Sequence, residues 1–208
     1  MGPRLAELMP KFSSQDRSTR IAIVDENPVR SAIIETGLRE AGYADIVRIG
    51  ETAALLKRLD ALEPDVVLID LESPSRDVLE SMFTVSRTVR RPVAMFVDQS
   101  DTAMIEAAVD AGVSAYIVDG LRKERVKAIL DMAISRFNAF DRLRRELAEA
   151  RTQLEERKVI DRAKGILMKA RAIPEEEAYA LLRRAAMNEN RRIADVAQSI
   201  ITAADLLR

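Results

Sequence analysis

Five short runs rich in Val and Ile alternate with amphipathic segments through the first two-thirds of the chain, and this alternation most constrains the fold. The runs are IAIV at 21–24, DIVRI at 45–49, VVLI at 66–69, PVAMFV at 92–97 and SAYIV at 114–118. Such runs alternate little between apolar and polar residues, which suits strands buried on both faces of a parallel sheet. Helical patterns begin near Pro28, Glu51, Ser75 and Asp101, and Gly42, Pro64 and Gly112 close several of them. The predicted class is α/β: a (βα)5 unit, doubly wound around a parallel sheet and flavodoxin-like.

From Leu121 to Lys164 the chain contains no Gly or Pro, so one long helix is predicted there. Val126, Ile129, Ala133, Phe140, Leu143, Leu147, Ala150 and Leu154 recur at spacings of 3 and 4, with Arg136 in the polar slot. Up to Phe137 this stripe is expected to pack on its own sheet. Beyond Phe140, flanked by Arg144, Arg145, Glu146 and Glu149, it reads as the seam of a parallel two-stranded coiled coil and hence a homodimer.

Three helical segments with one apolar stripe each then form a small bundle. The first continues through Val159, Ile160, Ala163, Ile166 and Leu167. The second starts at Pro174 with Glu175, Glu176 and Glu177 complementing the helix dipole, and buries Ala178, Leu181, Leu182 and Ala185. The third runs from about Arg192 with Ile193, Val196, Ala197, Ile200, Ile201 and Ala204 inward. Lys164, Arg183, Arg184, Arg191 and Arg192 are left facing outward. The expected boundaries are a polar leader at 1–19, the α/β domain at 20–137, a coiled-coil linker at 138–157 and the bundle at 158–208.

Charge excludes binding by bulk attraction. Lys and Arg number 33 against 34 Asp and Glu, and from Glu155 onward eleven basic and nine acidic residues leave a net of only +2. Any nucleic-acid site is therefore local. With no Cys and no His there is no thiol nucleophile, no imidazole base and no thiolate or imidazole metal ligand, and an enzyme is not expected. No apolar run approaches the roughly 18 residues of a membrane span. A cytoplasmic protein is expected.

Asp25 and Glu26 end the first strand and Asp70 ends the third. In an open parallel sheet these ends share one crevice, the usual ligand site. Carboxylates converging there repel one another unless a cation intervenes, and oxygen-only ligation suits magnesium. No cofactor is required, but Asp25, Glu26 and Asp70 form the place where magnesium would bind.

The strings VDEN, with Asp25 and Glu26, and LIDLESP, with Asp70 and Pro74, resemble two-component receiver domains over roughly Arg20 to Phe137. The resemblance makes Asp70 the phospho-acceptor position. It also implies a hydroxyl residue at the end of strand four and a Lys at the end of strand five, where this sequence has Val97 and Asp119. Val97 cannot hydrogen-bond a phosphoryl group, and Asp119 replaces a cation with an anion. The expectation is a receiver scaffold whose phosphorylation response is impaired or lost.

In the C-terminal segment, Ala163, Lys164, Gly165 and Met168, then Ala178, Tyr179, Leu182 and Arg183, then Arg192, Ala194 and Ala197, resemble the ANTAR family of RNA-binding antitermination modules. The resemblance implies recognition of paired leader-transcript hairpins, with binding preventing terminator formation. Lys164, Gly165, Tyr179, Arg183, Arg184, Arg191 and Arg192 become the candidate RNA contacts. Tyr179 is either a stacking platform for an unpaired base or a core aromatic, and Gly165 permits close approach either of RNA or of a neighbouring helix.

Most of the chain is similar to the nitrate-responsive antiterminators of this family. That similarity implies control of nitrate or nitrite assimilation genes by a partner protein that senses the anion and sequesters the regulator. The alternative function is a phosphorylation-dependent response regulator, activated at Asp70 by a histidine kinase.

Overall fold

The computed structural model describes residues 19–118 and 122–206. Asp119 and the leader up to 18 lie outside the described residues. The chain divides into two compact units, one running to Asp141 and the other beginning at Arg142.

The first unit holds β1 (Ile21–Val24), α1 (Pro28–Glu40), β2 (Ile46–Ile49), α2 (Leu55–Leu62), β3 (Val66–Leu71), α3 (Arg76–Val89), β4 (Val93–Val97), α4 (Thr102–Asp110) and β5 (Ala115–Val118), in the order expected. The strands pair in parallel as β2-β1-β3-β4-β5. Strand alternation sorts the core into two layers. Ala22, Val24, Val67, Ile69, Met95 and Val97 pack with residues of α2, α3 and α4 on one face. Ile21, Ile23, Leu68 and Phe96 pack with Ile34 and Leu38 of α1 and Val126, Leu130 and Ala133 of the long helix α5 (Lys123–Arg171) on the other. Burial on both faces explains the near-continuous apolar runs.

Local capping explains the helix starts. Asn27 accepts backbone hydrogen bonds from Val29 and Arg30, with Pro28 as the first helical residue; Ser75 caps α3 through Val78, and Asp101 caps α4 through Met104. Helix α2 begins at Leu55, not near Glu51. Ala54 adopts a left-handed φ of 54°, which breaks helical progression, and the Thr52 hydroxyl donates to Glu26 Oε1 instead of capping α2.

The apolar stripe on α5 divides as expected. Val126, Ile129 and Ala133 are buried on the sheet, whereas Phe140, Leu143, Leu147 and Leu154 are 52–58% exposed. The helix passes through Gly165 to Arg171.

The second unit adds α6 (Glu175–Glu189) and α7 (Ile193–Leu206). Its core joins Ala163 of α5, Leu182 and Ala186 of α6, and Val196, Ala197 and Ile201 of α7. Pro174 caps α6 from an extended conformation and is not its first helical residue. Ala178, Leu182 and Ala186 form the buried line of α6, one turn apart, while Leu181 and Ala185 are half-buried beside it. Among the described residues no helix is long and apolar enough to cross a membrane.

Candidate functional site

Parallel register brings the carboxyl ends of β1, β3 and β4 together. Asp70 pairs with Phe96 and Leu71 with Val97, so Asp25, Asp70 and Asp98 rim one crevice. Asp70 is fully buried at its side chain. It is not bare: Arg30, in the first turn of α1, donates from Nε to Asp70 Oδ2 at 2.7 Å and from Nη2 to Asp70 Oδ1 at 2.8 Å. The same guanidinium reaches Asp98, with Nη1 3.1 Å from Oδ2 and Nη2 2.9 Å from Oδ1. These carboxylates hold the Arg30 pKa above its ordinary value, chiefly through the hydrogen bonds to Asp70.

Asp25 is also buried. Its Oδ1 accepts the Asn27 N–H at 2.8 Å, and its Oδ2 has no hydrogen-bond partner. Burial pushes its carboxyl up to about 6, with the Asp70 charge adding to the rise and the Asn27 N–H and Arg30 opposing it.

Glu26 is exposed and accepts the Thr52 hydroxyl at 3.0 Å, while Glu72 accepts from Asn27 Nδ2 at 3.3 Å. Asp25 and Asp70 therefore share the crevice, but Glu26 is tied to the β2–α2 connection. Among the described residues no three carboxylates are grouped to hold a metal ion, so the side chains as arranged do not fit magnesium. Val97 is buried at the end of β4 and offers no hydroxyl.

Sequence reasoning missed Arg30 and Asp98. A signal was present: Arg30 is a cation in a helical first turn with no acidic residue, where the macrodipole disfavours it.

The C-terminal unit separates its basic residues into two sets. Lys164 lies 2.6 Å from both Asp161 and Glu175, and its side chain is only 15% exposed. Hydrogen bonds to these two carboxylates raise its pKa, and the bond from Lys164 lowers that of Asp161. Arg192 pairs with Asp195 and Glu156, and Arg191 with Glu189 and Ser199. Arg183 and Arg184 are exposed and, among the described residues, have no hydrogen-bond or ion-pair partner.

Tyr179 is 42% exposed, so it is not a core aromatic. It lies where two open concavities of about 310 and 380 Å³ meet. The first is lined by Arg183, Arg184 and Met187, the second by Arg157, Ile160 and Lys164. A Cβ added at Gly165 would meet nothing within 4 Å among the described residues, so this glycine does not serve close packing against another described helix.

Residues 21–131 match the response regulator receiver domain family, and residues 148–201 match the ANTAR domain. The chain belongs to the response regulators. It is an ANTAR response regulator resembling the nitrate-responsive antiterminator NasT. The transcriptional regulatory protein PdtaR of Mycobacterium tuberculosis is 29% identical over 177 residues, covering 85% of this response regulator and 86% of PdtaR. The nitrate regulatory protein of Klebsiella oxytoca is 34% identical over 82 residues, covering 39% of this chain and 21% of that protein. A CheY-like receiver domain protein from Methanospirillum hungatei superimposes with a TM-score of 0.50 at 16% identity, covering 58% of this chain and 97% of that one, which supports the receiver fold.

Proposed function

We infer that this response regulator is a non-enzymatic, RNA-binding antiterminator that acts on hairpins in leader transcripts. The observation carrying this reading is the exposed face of α6 within the ANTAR segment, where Tyr179 stands one turn before the unpaired Arg183 and beside Arg184. An aromatic ring next to free guanidiniums suits an unpaired loop base flanked by phosphates. Gly165, open on its outer side, leaves the α5 backbone approachable. Arg191, Arg192 and Lys164 bind RNA only by exchanging carboxylate partners for phosphates.

The exposed stripe at Phe140, Leu143, Leu147 and Leu154 supports a homodimer through α5. A dimer presents two readers to two hairpins, with the avidity that follows. Nitrate or nitrite assimilation genes are the proposed targets, on the strength of the likeness to NasT and to the Klebsiella oxytoca nitrate regulatory protein. A sensor protein that sequesters the regulator is the proposed control, because both Asp70 oxygens are occupied by Arg30 and Val97 lacks a hydroxyl.

Gel-shift titration against a leader RNA with two hairpins, the same leader with one, and the equivalent DNA tests the reading. Tightest binding to two hairpins is expected, and equal affinity for all three would overturn it. The phosphorylation-dependent alternative is separated by intact mass after incubation with a small phosphodonor and magnesium, where stoichiometric phospho-Asp70 that alters dimerisation or RNA affinity decides in its favour.

A further inference from the structure

Within the C-terminal unit, α5 is covered on one side only. At about 100° per residue, Ala163 points into the core shared with α6 and α7, while Leu143, Leu147, Leu154, Asp161, Gly165 and Met168 line the opposite face. The three leucines and Met168 are exposed, and the outer side of Gly165 is open. We propose that a second copy of the chain lies parallel along this face as far as Met168, and that the partner's Lys158 and Gly165 complete the cleft at Tyr179, so that each RNA site is built from two chains. The proposal rests on the RNA-binding, dimeric reading of the chain and adds which surfaces meet at the site.

Charge sets the direction of the pairing. With Leu147 and Leu154 at a positions of successive heptads, Arg144, Arg151 and Lys158 take e positions, and Glu146, Gln153 and Ile160 take g positions. In a parallel pair each g position faces the partner's e position about five residues further along. Glu146 then meets the partner's Arg151, Gln153 the partner's Lys158 and Ile160 the partner's Gly165. An antiparallel pair would set the basic e flank against itself. Among the described residues neither Glu146 nor Arg151 has an ion-pair partner within the chain, so both are available to a second copy.

The heptads change character after Leu154. Arg157, Asp161 and Lys164 take the next d, a and d positions, and their charges are balanced within the chain, Asp161 lying 2.6 Å from Lys164 and 3.9 Å from Arg157. Two helices continuing from the leucine seam stay side by side here without an apolar contact closing between them. The concavity of about 380 Å³ opens at this level, lined by Gln153, Arg157, Ile160, Lys164 and Tyr179. Gln153 and Ile160 are g positions, so the wall it lacks is the partner's e flank. From that flank Lys158 offers a cation whose own-chain contact is an exposed pair with Glu155, which a phosphate can replace. Gly165 leaves space in front of Ile160 that any side chain would fill. Glycine weakens a helix interior relative to alanine, and among the described residues nothing packs close enough to require it. Room for RNA between two copies accounts for it.

The test uses full-length dimers purified through two affinity tags, one on each chain, pairing a Tyr179→Ala chain with a Gly165→Leu chain. If the site spans the dimer, both lesions fall on one site and the other is wild type. If the site lies within each chain, no wild-type site remains. The mixed dimer is expected to bind one single-hairpin RNA at wild-type affinity where the wild-type dimer binds two, and both mutant homodimers are expected to bind more weakly. Lys158→Ala paired with Tyr179→Ala carries the same expectation and replaces Gly165→Leu should the added side chain prevent self-association. A mixed dimer with no site of wild-type affinity overturns the proposal, as does a Gly165→Leu homodimer that binds like wild type, or a wild-type chain that is monomeric in sedimentation equilibrium when bound to RNA. A wild-type dimer that binds hairpins no better than the equivalent DNA overturns the RNA-binding reading and the proposal with it.

Discussion

The Lys164 ammonium lies 2.6 Å from the Glu175 carboxylate, tying the closing turns of α5 to the first turn of α6. Lys164 thus works within the bundle, whereas Arg183 and Arg184 on the exposed face of α6 do not. Lys164→Ala is expected to lower the thermal midpoint of the C-terminal unit. Arg183→Ala should leave that midpoint unchanged and weaken RNA binding, with the salt dependence of affinity flattened by about 0.7 for each phosphate no longer neutralised. Melting curves together with gel shifts at several salt concentrations check both. An unchanged salt slope for Arg183→Ala means that this side chain neutralises no phosphate.

Tyr179→Ala and Tyr179→Phe separate stacking from packing. Base stacking on an aromatic ring is worth about 1–3 kcal/mol, so Tyr179→Ala should cost about 5- to 150-fold in RNA affinity while Tyr179→Phe retains it. Equal losses in both variants would assign the contribution to the hydroxyl instead of the ring.

Gly37 on α1 has no room for a side chain. A Cβ there would lie 2.6 Å from the backbone oxygen of Lys123 at the start of α5. Backbone cannot give way as a flexible side chain does, so Gly37→Ala is expected to destabilise the receiver unit by about 1–3 kcal/mol. Urea unfolding checks it, and an unchanged midpoint would mean that α1 shifts freely against α5.

The buried Asp25 carboxyl, raised from 3.8 to about 6, makes a signed prediction about pH. The folded chain binds this proton more tightly than the unfolded one, so the stability from Asp25 is fully present below about 4 and is lost as pH rises through about 6. Relative to wild type, Asp25→Asn should therefore gain stability on going from low to neutral pH, by about 1–3 kcal/mol. Calorimetric melts of both chains across that window measure it; parallel stability curves would place the folded-state Asp25 at its ordinary pKa.

Leu143→Glu with Leu147→Glu is expected to abolish self-association in sedimentation equilibrium and weaken binding to two-hairpin RNA, with the receiver unit still folded. Leu130→Ala, on the buried part of the same helix, should instead cost about 2–5 kcal/mol of receiver stability. A double-Glu chain that still self-associates would place the interface elsewhere.

The architecture was largely legible because its signals are local. Val/Ile runs, the caps at Asn27, Ser75 and Asp101, and the uninterrupted run after Leu121 each act within a few residues of where they are read. Helix α2 was misplaced because its start depends on the left-handed turn at Ala54, which no glycine marks. The crevice was legible as far as Asp25 and Asp70, whose strand ends fix them. Glu26 was grouped with them by sequence adjacency, but adjacent residues diverge at a strand end and its carboxylate goes to Thr52. Arg30 escaped notice because pairing over 40 residues is a property of topology. The same holds for Lys164 and Glu175, where a pattern match identifies a basic residue without revealing the acid that occupies it.

Phe140, Leu143, Leu147 and Leu154 leave a line of apolar side chains in water along α5. Their hydration is unfavourable until some surface covers them, and how much covering surface exists depends on how many molecules share the compartment. Under the proposed dimerisation, copy number becomes an input to this regulator: a gene duplicated, or a message translated more often, would shift the state of every molecule already made.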